Sequence, residues 1–476
     1  MERGITSFGA YIPRLRIDRA AIAAAHSWAI PSLRGKGARA LANWDEDAVT
    51  MAVEAARGVS LDNIGAIIFA STTPPYADLQ NATLVAAAIG LPNDVASSDT
   101  SGSLRAGTSA LLSALLSNRE GDALIVASDA RRAKPGSAQE MAYGAGASAI
   151  TVGTGKIIAR LIGHASRTVP FVDHYRASGE PYDYFWEERW IRDEGYGKIL
   201  PPAIKAALAG TNLQPADIDQ FCMPATMKGI AATAAKKSGI KSEAVTDDLS
   251  DFCGDTGAAH GLMMLASALE TAKPGERILV VTFGAGCDVL LFETTEALSH
   301  YKPPCPVSAL IARGITEPHY TKLLSFHGEL SLDWGMRGEF NEKIPQTQAY
   351  REYDQMATFT AGKCPECGAV QFPQLAKCVN CGSLAELTPT SLTSEGAAVA
   401  SFTGDWLQFT PSPPLYFGLV NFDNGARVMM EFADVDSALL DVGARLRMVY
   451  RIKSIDNERH NSRYFWKAVP MAPEGA

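Results

Sequence analysis

The sequence predicts an α/β fold built from two repeated halves, followed by a separate module rich in cysteine and β-strand. Three observations carry this prediction. Apolar runs such as "GAIIFAS" and "RILVVTF" are nearly continuous, the pattern of strands covered on both faces. Similar segments recur at an offset of about 154 residues through the first 300. Beyond residue 350, apolar and polar residues alternate between turn signals, and four of the eight cysteines cluster.

A chain of 476 residues is long enough for several cores. Its net charge of -9 excludes a broadly basic nucleic-acid binder, while leaving room for a local patch that holds a phosphate. No apolar run reaches the roughly 18 residues of a membrane span, and "MERGITSFGAYIPRL" lacks a signal-peptide core. The expected location is the cytoplasm, with no nucleic-acid or membrane partner.

The duplication fixes the elements in order. "DNIGAIIFAST" (62–72) is echoed by "ADIDQFCMPAT" (216–226), each a buried strand. "SGSLRAGTSALL" from 101 is echoed by "DTGAAHGLMMLASAL" from 255, each a small-residue start to an apolar helix. "GDALIVASDA" from 121 answers "GERILVVTFG" from 275, and "GAGASAITVG" (144–153) answers "GCDVLLFETT" (286–295) less exactly, each series ending in strand–turn–strand. Two such halves pack as a pseudo-dimer. The two helix starts then face one pocket near the pseudo-twofold axis, where free N–H groups favour an anion.

Cys364, Cys367, Cys378 and Cys381 form a C-x2-C-x10-C-x2-C array with glycine after the second cysteine of each pair. Four thiolates in two knuckles predict one closed, structural zinc ion per chain, with no ligand position left for catalysis. Two disulfides are the alternative, disfavoured in a reducing compartment. The β-rich stretch that follows, with a "DNG" turn at 423–425, predicts a small five-stranded barrel.

The first 345 residues resemble the thiolase superfamily, and within it the 3-hydroxy-3-methylglutaryl-CoA synthases. "GAYIPRLRIDRAAIAAA" (9–25), "NWDEDAVTMAVEAA" (43–56), "RAGTSAL" (105–111), "EMAYGAGASA" (140–149), "YDYFW" (182–186) and "GDTGAAH" (254–260) carry the likeness in order. The resemblance implies a five-layered thiolase-like fold, with halves at 1–165 and 166–298 and a connecting segment at 299–349. The module resembles the rubredoxin-like zinc ribbon plus OB-fold family that accompanies acyl-CoA enzymes, here with the ribbon at 350–385 and the OB-fold at 386–476.

The resemblance implies a glutamate, an acyl-accepting cysteine and a histidine, and all three positions are changed. Thr72 stands at the glutamate position, Leu104 at the cysteine position and Cys222 at the histidine position. Ser103 is either an N-cap hydroxyl or a displaced nucleophile. Cys222 is either a small buried residue or a relocated nucleophile. Asp255 either caps its helix or serves the pocket, and His260 is either a satisfied core histidine or the general base. Glu140, Tyr143 and Tyr184 are further candidate acids or bases. The glycine turns at Gly144 and Gly284 are expected to offer N–H groups to a thioester carbonyl.

A site that keeps a thioester scaffold without its cysteine suits retro-aldol cleavage of a β-hydroxyacyl-CoA, which needs no covalent intermediate. Leu104, Ser103, Thr72, Cys222, Gly144 and Gly284 are then substrate-binding, and His260, Tyr143, Asp255 and Glu140 catalytic. The rivals are an acyltransferase with a moved nucleophile, and a non-catalytic scaffold that binds acyl-CoA or a thiolase partner. Assembly as a homodimer or larger is expected, because each half exposes a sheet edge.

Overall fold

The computed structural model describes residues 2–338 and 342–471. The chain divides into two compact units. The first contains Met1–Asn43, Asp47–Val85 and Leu91–His327, and the second contains Trp44–Glu46, Ala86–Gly90 and Gly328–Ala476.

Nine strands form the sheet of the first unit: β1 (Gly4–Tyr11), β2 (Ile64–Ala70), β3 (Ala96–Thr100), β4 (Asp122–Ala130), β5 (Ala145–Gly153), β6 (Ala159–Thr168), β7 (Gln220–Cys222), β8 (Arg277–Phe283) and β9 (Gly286–Thr294). Their order is β7-β8-β9-β6-β1-β5-β4-β2-β3. It is two half-sheets joined at a corner, where Gly4 and Ile5 pair with Arg160 and Ala159. Each half repeats one motif. β2 runs parallel to β4, which turns back antiparallel into β5. β7 runs parallel to β8, which turns back antiparallel into β9.

The helices complete five layers. α1 (Ala48–Ala56) covers β1, β4 and β5, and α3 (Gly197–Leu208) covers β6 and β9. α2 (Ala106–Leu115) and α4 (His260–Thr271) lie between the half-sheets, and their first residues are 154 positions apart. Asp47 starts α1 with a capping box, its side chain accepting from Thr50 N–H while the Thr50 hydroxyl accepts from Asp47 N–H. The central pair is close because glycine permits it. A Cβ on Gly107 would sit 2.5 Å from the Ala258 carbonyl oxygen, and one on Gly261 would sit 2.5 Å from a Thr282 methyl. These glycines obey the 154-residue offset too, although Gly107 meets the start of the facing helix and Gly261 meets strand β8.

In the second unit, short strands Thr360–Lys363, Val370–Gln371 and Thr388–Ser391 form the ribbon. The barrel follows: β10 (Ala397–Asp405), β11 (Leu415–Phe422), β12 (Arg427–Glu431), β13 (Arg445–Asp456) and β14 (Asn461–Pro470), in the order β12-β11-β10-β13-β14. Phe432, directly after β12, bridges to Ala468 of β14 and closes the ring, the connectivity of an OB-fold. Gly425, at φ +90°, makes the "DNG" turn between β11 and β12.

Candidate active site

A narrow cleft of about 30 Å³ opens in the first unit, lined among others by Leu104, Arg131, His174, Tyr196, Asp255 and Thr282. Leu104 arrives from the start of α2 and Asp255 from the turn before α4, so the duplicated helix starts do converge. No cysteine or serine lines the cleft among the described residues.

Arg131 is its electrostatic centre. It follows β4 and is 3% exposed. Its guanidinium donates to Asp183 at 2.7 Å, to the Tyr143 hydroxyl at 2.6 Å and to Asp255 at 3.2 Å. The Tyr143 hydroxyl in turn donates to Asp183 at 2.8 Å. Burial opposes the Arg131 charge, but the Asp255 and Asp183 carboxylates outweigh it and hold the proton more tightly than usual. Burial also pushes the Tyr143 phenol up, so it stays protonated. Asp183 is lowered: burial works against its charge, and the Arg131 cation and hydrogen bond prevail. Arg176 adds a second cation to Asp183 at 3.0 Å.

His174 faces the same cleft, its Nδ1 3.0 Å from an Asp173 oxygen, within ion-pair distance but not aligned as a hydrogen bond. Asp173 precedes, and His174 opens, the short pairing of His174–Tyr175 with Tyr184–Phe185, and the Phe185 ring stacks on the imidazole at 6.2 Å.

The other sequence-selected residues have local partners. The Thr72 hydroxyl donates to Asp129 at 2.8 Å. That buried carboxylate also accepts from Ser71, from Thr73 and from the Ala258 N–H at the head of α4. Ser103 donates to the Gly284 carbonyl at 2.9 Å. Cys222 is wholly buried, its Sγ 3.8 Å from the Met264 carbonyl, and burial pushes its thiol up to about 12.

His260 is 2% exposed. Its Nδ1 accepts from Thr256 N–H at 2.9 Å, so Nε2 carries the proton and donates to the Asp248 carbonyl at 2.7 Å. Glu140 lies in a separate buried cluster, accepting from the Tyr320 hydroxyl and the Gly136 N–H, with His26 3.2 Å away. Tyr184 is 55% exposed and packs on Tyr175. Gly144 permits a backbone crossing: a Cβ there would fall 1.7 Å from the Cys253 oxygen. The Gly284 N–H donates to Gly286 at 2.9 Å. Of the expected residues, then, Leu104 and Asp255 line the cleft and Tyr143 braces it, while His260, Glu140 and Tyr184 are outside its lining.

In the second unit the four ribbon sulfurs lie within 4.8 Å of one another. Cys364 and Cys381 are 3.8 Å apart, and Cys367 and Cys378 3.6 Å. Zinc–sulfur bonds of about 2.3 Å in a tetrahedron require sulfurs about 3.8 Å apart, so the cage fits zinc. Gly368 and Gly382, both at positive φ, turn their N–H groups back to the Cys364 and Cys378 carbonyls and shape the two knuckles.

Residues 208–290 match the C-terminal domain of 3-oxoacyl-[acyl-carrier-protein] synthase III. The hydroxymethylglutaryl-CoA synthase of Methanopyrus kandleri is 31% identical over 319 residues, which is 64% of this chain and 91% of that protein. The chain belongs to the hydroxymethylglutaryl-CoA synthase family. The enzyme of that name from Aeropyrum pernix is 33% identical over 317 residues, 63% of this chain and 87% of the relative. The fold agrees with a hydroxymethylglutaryl-CoA synthase solved with CoA, at TM-score 0.61 and 18% identity, over 73% of this chain and 95% of that one.

This synthase-family member carries an appended part. Residues 358–386 match the ChsH2 rubredoxin-like zinc ribbon, and the tetrathiolate cage is its structural zinc site. No helix among the described residues is long and apolar enough to cross a membrane.

The sequence reading did not single out Arg131, Asp183, Asp173 or His174. "YDYFW" does contain Asp183, and "VDHYRASGE" holds a histidine flanked by acid and base, the one local signal that could have flagged the dyad.

Proposed function

We propose that this family member binds a β-hydroxyacyl-CoA and breaks its Cα–Cβ bond by retro-aldol cleavage, with no acyl-enzyme. The observation that carries this reading is a substitution of chemistry in one cleft. Leu104 stands where the resemblance expects the cysteine, and Arg131 lies beside the His174–Asp173 pair. His174 Nε2 takes the β-hydroxyl proton, and Asp173 stabilises the imidazolium. The Cα–Cβ electron pair moves onto the thioester, and the enolate oxygen is held by the Arg131 guanidinium. The carbonyl product leaves. The imidazolium then returns its proton to Cα, giving the shortened acyl-CoA. Tyr143 and Asp255 keep Arg131 in place, and Leu104 supplies an apolar wall. His260 supports the reaction only by fixing the turn that presents Asp255.

The test is a screen of β-hydroxyacyl-CoAs for acetyl-CoA or propionyl-CoA together with an aldehyde or ketone, with intact-protein mass spectrometry alongside. Thioester release without an acyl adduct is expected. A trapped acyl adduct on the protein would transfer the reading to acyltransfer.

The cleft's small volume favours a second reading, a non-catalytic scaffold that binds acyl-CoA or a thiolase partner. Absence of cleavage across the screen, with a thiolase co-purifying in fixed ratio, is its signature.

A further inference from the structure

Tyr196 lines the cleft with Arg131, His174 and Asp255, and no step of the cleavage uses it. It closes Ile191–Tyr196, a single wide turn of π-helix directly before α3, where the Gly197 N–H reaches back to the Arg192 carbonyl. Such turns are rare and gather at functional sites. The ring is pinned: Phe283 lies 4.6 Å away between centroids, and Phe171 backs Phe283 at 5.9 Å. The hydroxyl makes no hydrogen bond to another described residue. A phenol kept from water normally finds such a partner within the fold. Burial first, then Asp173 and Asp255, push this phenol up against the opposing pull of Arg131, so it stays protonated and is a donor at neutral pH.

Arg131 has little left for a new anion. Three of its N–H groups are committed, to Tyr143, Asp183 and Asp255. Arg131 and Arg176 together face Asp183 and Asp255, so these charges match without surplus. The Thr282 hydroxyl, also in the lining, is paired with Thr108 at 2.5 Å. We infer that Tyr196 is a further catalytic residue, whose hydroxyl donates a second hydrogen bond, beside that of Arg131, to the thioester oxygen as it becomes the enolate. A fixed neutral donor gains strength as charge develops on its acceptor, which favours the transition state over the bound substrate. The proton stays on the phenol throughout, and no bond to Tyr196 forms or breaks. The inference rests on the retro-aldol reading, and its test reads the two apart.

Two analogues of acetyl-CoA, each with CH₂ in place of the sulfur, are titrated calorimetrically into the full-length, zinc-loaded protein. The carboxylate analogue, with an anionic oxygen in place of the methyl, imitates the enolate in charge and shape. The methyl ketone analogue imitates the ground state. Neither has a β-hydroxyl, so neither reports cleavage. The parent should bind the carboxylate more tightly than the ketone. Tyr196→Phe should cut that preference by about tenfold or more, the loss of a hydrogen bond to a charged group, at an unchanged urea midpoint. Tyr184→Phe, which alters an exposed phenol outside the cleft lining, should keep it. With an accepted β-hydroxyacyl-CoA, Tyr196→Phe should lower kcat by about 10²–10³, the usual effect of removing one oxyanion donor, with KM little changed. Absence of cleavage by the parent removes the retro-aldol reading and leaves the binding preference to decide on Tyr196. No preference in the parent, a preference that survives in Tyr196→Phe, or a fall in that variant's urea midpoint overturns the assignment.

Discussion

Arg131 and Asp183, 52 residues apart in sequence, meet at 2.7 Å with side chains 1% and 4% exposed. One buried guanidinium thus holds together the strand end after β4 and the segment that carries His174.

Removing that cation should unfold more than the cleft. Arg131→Met leaves Asp183 and Asp255 without their shared partner, and breaking a buried pair costs about 3–5 kcal/mol. Urea midpoints should fall accordingly. Arg131→Met combined with Asp183→Asn should cost less than the two added, because the residues interact directly.

The same pair sets a pH response. Asp183 is held below the usual carboxylate range, so its contribution is fully present above the unfolded value of about 4 and is lost as pH falls through the lower folded value. The parent should therefore lose more stability than Asp183→Asn between neutral pH and roughly pH 3. Parallel losses in urea titrations at the two pH values would remove Asp183 from the account.

Activity should track the dyad and ignore the thiol. With one accepted β-hydroxyacyl-CoA, His174→Ala should lower cleavage by about 10²–10⁴, the usual effect of losing a general base. Cys222→Ala and Ser103→Ala should retain most of it. His260→Ala should instead lower stability, by about 1–3 kcal/mol for the stranded Thr256 N–H and Asp248 carbonyl. Activity that dies with Cys222 while surviving the loss of His174 would restore covalent transfer.

Zinc removal should unfold the ribbon, whose own apolar cluster is little more than Cys364, Cys378 and Leu387. Metal analysis should return one zinc per chain, and Cys367→Ser should abolish it along with protection of 360–391 from proteolysis.

The edge strand Ala96–Thr100 pairs with β2 on one side and with no other strand among the described residues. A second subunit adding its own edge here predicts a dimer. Light scattering should give twice the 50.7 kDa chain mass, and Ser98→Pro should shift it toward one.

The sequence exposes what is periodic or repeated. The 154-residue offset is legible because the glycines at 107 and 261 recur with it, each where its helix comes against a close neighbour: the Ala258 carbonyl for Gly107 and the Thr282 side chain of β8 for Gly261. The zinc ligands are legible because coordination demands a spacing. Arg131, Asp183 and His174 are not, because a charged residue beyond a strand end looks the same whether it meets water or a partner 50 residues away. His260 and Glu140 illustrate the opposite difficulty. Each has the side chain of an acid–base group, but its partners are backbone atoms or residues from other segments, such as Asp248 and Tyr320, and these come together only on folding.

Asp129 accepts from Ser71, Thr72, Thr73 and Ala258, which ties the loop after β2 to the head of α4. A glutamate introduced at position 72 would remove one of those donors and bring a second carboxylate against the first. A cysteine introduced at position 104 would enter a cleft lined by both Arg131 and His174. Both positions are therefore fitted to their present side chains: Thr72 is one of the donors that Asp129 gathers, and Leu104 forms the apolar wall opposite Arg131 and His174.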